Sequence, residues 1–144
     1  MLTTESMERT VRRYYDGCNE ANVARMAGCF TPEAVHYFPP GMPGGPFRGA
    51  LAIAESWLRA VQKAGARWTI DALLLDAASG RAVIEWSNFT NGRNRLVRGT
   101  EWVEFDRASG LIREIRAYLA APLPRELEQA QLEGFDYRAR GYPV

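Results

Sequence analysis

A chain of 144 residues, 47% of them hydrophobic and with four Trp, six Tyr and six Phe, is one domain's length and can bury its own core, which excludes a disordered chain. Its 18 basic and 17 acidic residues, net +1, are scattered without a basic run, so nothing offers a face to nucleic acid or to an anionic membrane. No stretch approaches the ~20 apolar residues of a membrane span.

The N-terminus begins polar and charged (Thr3, Thr4, Glu5), unlike a signal peptide. Cys18 and Cys29 lack CxxC or metal-type spacing, so they are expected reduced and buried, in a cytoplasmic protein.

Met7, Val11, Tyr14, Tyr15 and Cys18 recur at three- and four-residue spacing and predict a helix over about Glu5–Asn19. Asn22 can cap a short second helix carrying Val23, Met26 and Phe30, which Thr31-Pro32-Glu33 ends. A short strand is expected at Ala34–Phe38. Pro39–Pro46 contains only Pro, Gly and Met42, which predicts a shaped loop, expected at the pocket entrance. A third helix reads from Ala50 to Ala64, with Ile53, Trp57, Val61 and Ala64 on one face and Gly65 as its cap.

Four strands follow, at about Arg67–Asp76, Ala82–Thr90, Leu96–Phe105 and Leu111–Leu119. Short turn signals at 77–80, 91–94 and 106–110 imply antiparallel neighbours. The tail from Pro122 holds a helical turn at Arg125–Leu132, then three aromatics between glycines, a pattern expected to dock on the same subunit, a partner or the pocket mouth. The fold class is therefore α+β. Three N-terminal helices pack on a curved antiparallel sheet that encloses a pocket, in a single domain over 1–144 with its core at about 4–120.

Alternation along Leu96–Phe105 is the most informative local pattern. Val97, Gly99, Glu101, Val103 and Phe105 share one face, which is apolar and must look inward. A carboxylate in the middle of that face is costly unless paired or protonated, which marks Glu101 as either a structural ion pair or a functional group. His36, the one histidine, shares a strand face with Phe38 and has the chemistry of a proton-transfer residue or of a hydrogen-bonded strand residue. Tyr14 lies on the first helix's apolar stripe, where its hydroxyl needs a partner. One histidine without cysteine or carboxylate help makes no zinc site, so no metal and no cofactor are expected. GxSxG, P-loop and GxGxxG patterns are absent from the sequence.

The stretches Arg13-Tyr14-Tyr15 to Asn19, Phe30-Thr31-Pro32-Glu33-Ala34-Val35, Phe47-Arg48-Gly49 and Leu111–Tyr118, in this order of elements, resemble the SnoaL-like and ketosteroid-isomerase-like superfamily. That superfamily has the cone-shaped fold of nuclear transport factor two. The resemblance covers about Thr4–Ala120 and implies fold more strongly than activity, since this fold hosts isomerases, cyclases, hydrolases and non-catalytic members.

By that resemblance Tyr14 stands at the tyrosine that donates to the enolate oxygen in ketosteroid isomerases. Glu101 stands at their second donor, a protonated aspartate that serves as a standard example of a neutral acid. Their general base falls on Phe38, which argues against a ketosteroid isomerase and leaves His36 as the nearest substitute. Limonene-type epoxide hydrolases carry an aspartate where this chain has Ala117, which argues against that activity too. The resemblance therefore implies acid/base chemistry of isomerase, cyclase or lyase type on a small, apolar, carbonyl-bearing molecule. Tyr14, His36 and Glu101 would be catalytic, and Phe38, Trp57, Val97, Val103, Ile115 and Ala117 would contact the ligand. The alternatives are a non-catalytic ligand-binding or dimerising domain, and a hydrolase whose base would be Glu85. Trp102, between Arg98 and Glu104 on the outward face, suggests the core of a homodimer interface.

Overall fold

The computed structural model describes residues 1–41, 44–90, 95–120 and 132–141. Met42, the Asn91–Asn94 turn, most of the expected turn at Arg125–Leu132 and the end of the tail at Tyr142-Pro143 lie outside the described residues.

Helix α1 spans Thr4–Asn19 and starts on a reciprocal cap, with the Thr3 hydroxyl accepting from the Ser6 N–H while the Ser6 hydroxyl accepts from the Thr3 N–H. Its predicted stripe is its buried face. At its last turn the Asn19 amide donates to the Trp68 carbonyl (2.9 Å) and accepts from the Trp68 N–H (2.8 Å). That pair of bonds fastens the helix end to a sheet edge. Helix α2 is only Val23–Ala27, with Asn22 accepting from the Arg25 N–H as its cap. Helix α3 spans Ala50–Ala64 and stops at Gly65, whose φ of 59° suits the left-handed cap that a Cβ would oppose.

The strands are β1 (Phe30–Tyr37), β2 (Phe47–Arg48), β3 (Arg67–Asp76), β4 (Arg81–Thr90), β5 (Arg95–Phe105) and β6 (Ile112–Leu119). They form one curved sheet in the order β2-β1-β6-β5-β4-β3. The expected fully antiparallel sheet is corrected here, because β1 runs parallel to β6. Short turns dictate direction only between the strands they join, β3 through β6. A helix and four strands separate β1 from β6, so no hairpin fixes their relative sense.

The second helix was also expected to reach Phe30, with Thr31-Pro32-Glu33 ending the helical pattern and the strand starting only at Ala34. Instead β1 starts at Phe30 and runs through Pro32. Its pairing with β6 slips between Phe30 and Val35, and β2 meets only Val35 and His36, so no ladder needs the N–H that proline lacks. The two-residue strand β2 is too short for a periodic signal.

Behind the sheet, residues 132–141 fold back onto the face of β1 opposite the helices. Leu132 and Phe135 bury Tyr37 with a T-shaped ring contact of 5.0 Å, and the Glu133 N–H donates to the Phe38 carbonyl at 2.9 Å. Arg140 lies 4.0 Å over the Phe135 ring and pairs with Glu114 at 2.6 Å. This part of the tail therefore docks on its own subunit. Pro46, at the end of the loop after β1, packs where a Cβ on Gly134 would come within 2.9 Å, which places that end of the loop against the tail. Truncating Phe135 to Ala should cost about 3 kcal/mol of stability in urea denaturation. A loss below about 1 kcal/mol would show that the segment does not hold Tyr37 in solution.

Candidate functional site

The inward face of the sheet, covered by the three helices, carries the polar groups of interest. Cross-strand register places Glu101 on β5 between Ile84 of β4 and Ala117 of β6, and His36 on β1 beside Ile115 of β6. Ala117 is the smallest side chain of its row, and its methyl leaves room for an imidazole from β1 to reach across β6. His36 Nε2 lies 3.3 Å from Glu101 Oε1. Neither imidazole nitrogen makes an aligned hydrogen bond, so the contact is a close approach rather than a directed bond. From α1 the Tyr15 hydroxyl donates to Glu101 Oε2 at 3.0 Å. His36 and Glu101 are 0% and 4% exposed, a depth at which a carboxylate needs such partners.

Aromatic rings enclose this group. His36 stacks on Phe38 (4.2 Å, 24°) and meets Trp57 of α3 at 5.4 Å; Trp57 meets Trp68 of β3 edge to face at 5.1 Å. The expected pocket is reduced to an inner cavity of about 10 Å³, lined by Tyr14, Tyr15, Cys18, Trp57, Trp68 and Glu101. That is the space of roughly one water. A groove of about 320 Å³ lies elsewhere, lined by Leu74, Asp76, Arg81, Val83 and Trp102 on β3, β4 and β5. It contains neither Glu101 nor His36, so size alone points away from the chemistry.

The predicted site residues separate into groups. Tyr14, Trp57 and Glu101 line the inner cavity, and His36 and Phe38 stand directly behind them. Val103, Ile115 and Ala117 are fully buried core and do not line the cavity, while Val97 packs at the margin of that core. Glu85 faces outward and pairs with Arg98 at 2.6 Å, which removes it as a base for the cavity. Tyr15 and Trp68 were not expected. Tyr15 lies on the same helical stripe as Tyr14, but the seating of α1 over the sheet decides which hydroxyl reaches Glu101, and no local pattern encodes that seating. Among the described residues no three His, Cys, Asp or Glu side chains gather as a metal site.

Burial raises the pKa of Tyr14 and Tyr15 well above the ordinary tyrosine value, with the nearby Glu101 charge adding to the effect. Burial likewise raises the Cys18 thiol and pushes the Cys29 thiol up to about 11. All four are neutral acids favoured by the folded state. Their contribution to stability is complete below the unfolded values, ~8.5 for a thiol and ~10 for a phenol, and is lost as pH rises through the folded values. The urea midpoint should therefore hold steady from pH 7 to 8 and fall continuously from pH 9 to 11. A midpoint that stays constant to pH 11 would contradict this burial.

A family model described as a SnoaL-like domain matches residues 11–115. The chain belongs to the SnoaL-like domain family. Among solved structures it is similar to a protein of unknown function with a cystatin-like fold from Methylobium petroleophilum PM1, at 55% identity and a TM-score of 0.94, covering 99% of this chain and 94% of that one. It is also similar to SalBIII, an epoxide hydrolase/cyclase-like enzyme in pyran ring formation in the polyether salinomycin (15% identity, TM-score 0.66, covering 83% and 95%). A third is a computationally designed 17-OHP binder (14% identity, TM-score 0.67, covering 78% and 89%). The last two similarities show a shared fold only. No curated protein matches the chain. The SnoaL-like domain is thus an α+β fold of three helices on a curved, open, mixed sheet, shared with enzymes and with a designed ligand binder. No helix among its described residues is long and apolar enough to cross a membrane.

Proposed function

We propose that this SnoaL-like domain is a small-molecule acid/base enzyme of isomerase, cyclase or lyase type, acting on an apolar, carbonyl-bearing substrate. The observation that carries this is a buried carboxylate that lines the cavity while held from behind by His36 (3.3 Å) and from the side by Tyr15 (3.0 Å). Glu101 is then the catalytic base. It takes a proton from the carbon next to the carbonyl, the electron pair moves onto the carbonyl oxygen, and the same carboxyl returns the proton to carbon. Tyr14, kept neutral by burial, donates to the developing oxyanion. His36 and Tyr15 are positioning residues that fix the carboxylate.

This differs from the roles implied by resemblance, in which His36 would move the proton and Glu101 would donate. The cavity lining supports the exchange, because Glu101 borders the cavity and His36 does not. The wild type should accelerate deuterium uptake at the carbon beside the carbonyl of 1-indanone in D2O, followed by NMR. Binding without acceleration would favour the second reading, a ligand-binding domain without turnover. The hydrolase alternative has no such support once Glu85 faces outward.

The homodimer is part of the same proposal. Leu74, Val83 and Trp102 form a cross-strand row on the outward face, with Leu74 72% and Trp102 38% exposed. The ion pairs Arg98–Glu85 and Arg113–Glu104 border it. Light scattering should return twice the 16.2 kDa of the chain, and Trp102→Glu should return the chain mass. A wild-type monomer at micromolar concentration would refute the interface.

A further inference from the structure

We propose that the indole N–H of Trp57 donates the hydrogen bond that selects the ligand's carbonyl oxygen, so that the cavity prefers flat, apolar ketones over hydrocarbons of the same shape. This rests on the acid/base reading above.

Trp57 projects from the middle of α3 into the same cavity that Glu101 borders. Its Nε1 is buried and has no hydrogen-bond partner. Folded proteins pair buried donors, because an unpaired one forfeits its solvation without recompense, and a native exception calls for an explanation. Trp86 Nε1 is unpaired as well, but Trp86 does not line the cavity. Trp57 is thus the cavity-lining side chain whose donor awaits an acceptor.

No side chain of the cavity lining accepts from Trp57 Nε1, and the Glu101 carboxyl is instead engaged by the Tyr15 hydroxyl. A ligand oxygen would supply the acceptor. The Trp57 N–H lies near enough to the Tyr14 hydroxyl to favour negative charge on that oxygen, against the larger effect of burial, without completing a bond to it. Negative charge is favoured beside Trp57, where an enolate oxygen would develop. Flatness follows from the walls: Tyr14, Tyr15, Trp57 and Trp68 present rings, and Phe38 meets Trp57 from behind at 5.7 Å. With about 10 Å³ free, a ligand enters by parting these rings, and a planar body fits between them with least displacement.

The bland alternative is a packing tryptophan whose N–H bonds Tyr14 in solution. Trp57→Phe separates the two, because it keeps a ring and removes only the donor and part of the bicycle. Calorimetric titration with 1-indanone and with indane, which has the same skeleton without the oxygen, should show wild type preferring the ketone by about tenfold, the ~1.4 kcal/mol of one buried hydrogen bond. In Trp57→Phe that ratio should fall to the smaller preference that the Tyr14 hydroxyl alone supplies, with ketone affinity falling more than indane affinity. A variant that keeps the tenfold ratio would overturn this inference and leave the acid/base reading standing. If wild type binds neither probe, the acid/base reading itself falls and takes this inference with it.

Discussion

Replacing Glu101 by Gln should reduce ketone deuteration by about 10²–10⁴-fold, the range that a positioned general base contributes. Glutamine keeps the shape and an acceptor for the Tyr15 hydroxyl, so the fold should survive, and circular dichroism with thermal melting checks this. Tyr15→Phe and His36→Asn touch the same carboxyl indirectly. Each should slow exchange less than Glu101→Gln does, since the base remains and only its hold is loosened. Full exchange in Glu101→Gln would remove the carboxylate from the chemistry altogether.

Gly99→Ala should destabilise the protein by about 3 kcal/mol or more, at the upper end of the cost of overpacking a core. A Cβ on Gly99 would meet the Trp86 ring and the Tyr118 carbonyl oxygen, each at 2.5 Å. The carbonyl belongs to the neighbouring strand and cannot move without parting β5 from β6, which pair through Gly99 and Leu119. The absent side chain is what lets Trp86 lie across β5, two residues from Glu101. Urea denaturation would give the cost. A loss under about 1 kcal/mol would show that the Trp86 ring is not fixed there.

Elements with a strong period were legible in the sequence. The stripe of α1, the Asn22 and Gly65 caps, and the span Arg67–Asp76 all follow from local spacing and turn chemistry, and the alternation in β5 placed Glu101 inward. What depends on packing between distant elements was not legible. The parallel pairing of β1 with β6 is set by long connections, and the passage of β1 through Pro32 depends on a slip in that pairing. The choice of Tyr15 over Tyr14 as the partner of Glu101 depends on how α1 sits across the sheet. Free volume was the least visible quantity of all, because it is what remains after Trp57, Trp68 and Phe38 have packed. Residues such as Ile115 and Ala117, which face inward as expected, therefore end as core instead of cavity wall.

The central claim is that Glu101 and His36 act as one unit on a bound ketone. A double-mutant cycle on the deuteration rate of 1-indanone tests it most directly, comparing wild type, His36→Asn, Glu101→Gln and the double variant. If His36 acts only through Glu101, the double variant should exchange no more slowly than Glu101→Gln alone. Losses that multiply, with the double variant slower by the product of the two single effects, would contradict the account and return His36 to an independent role.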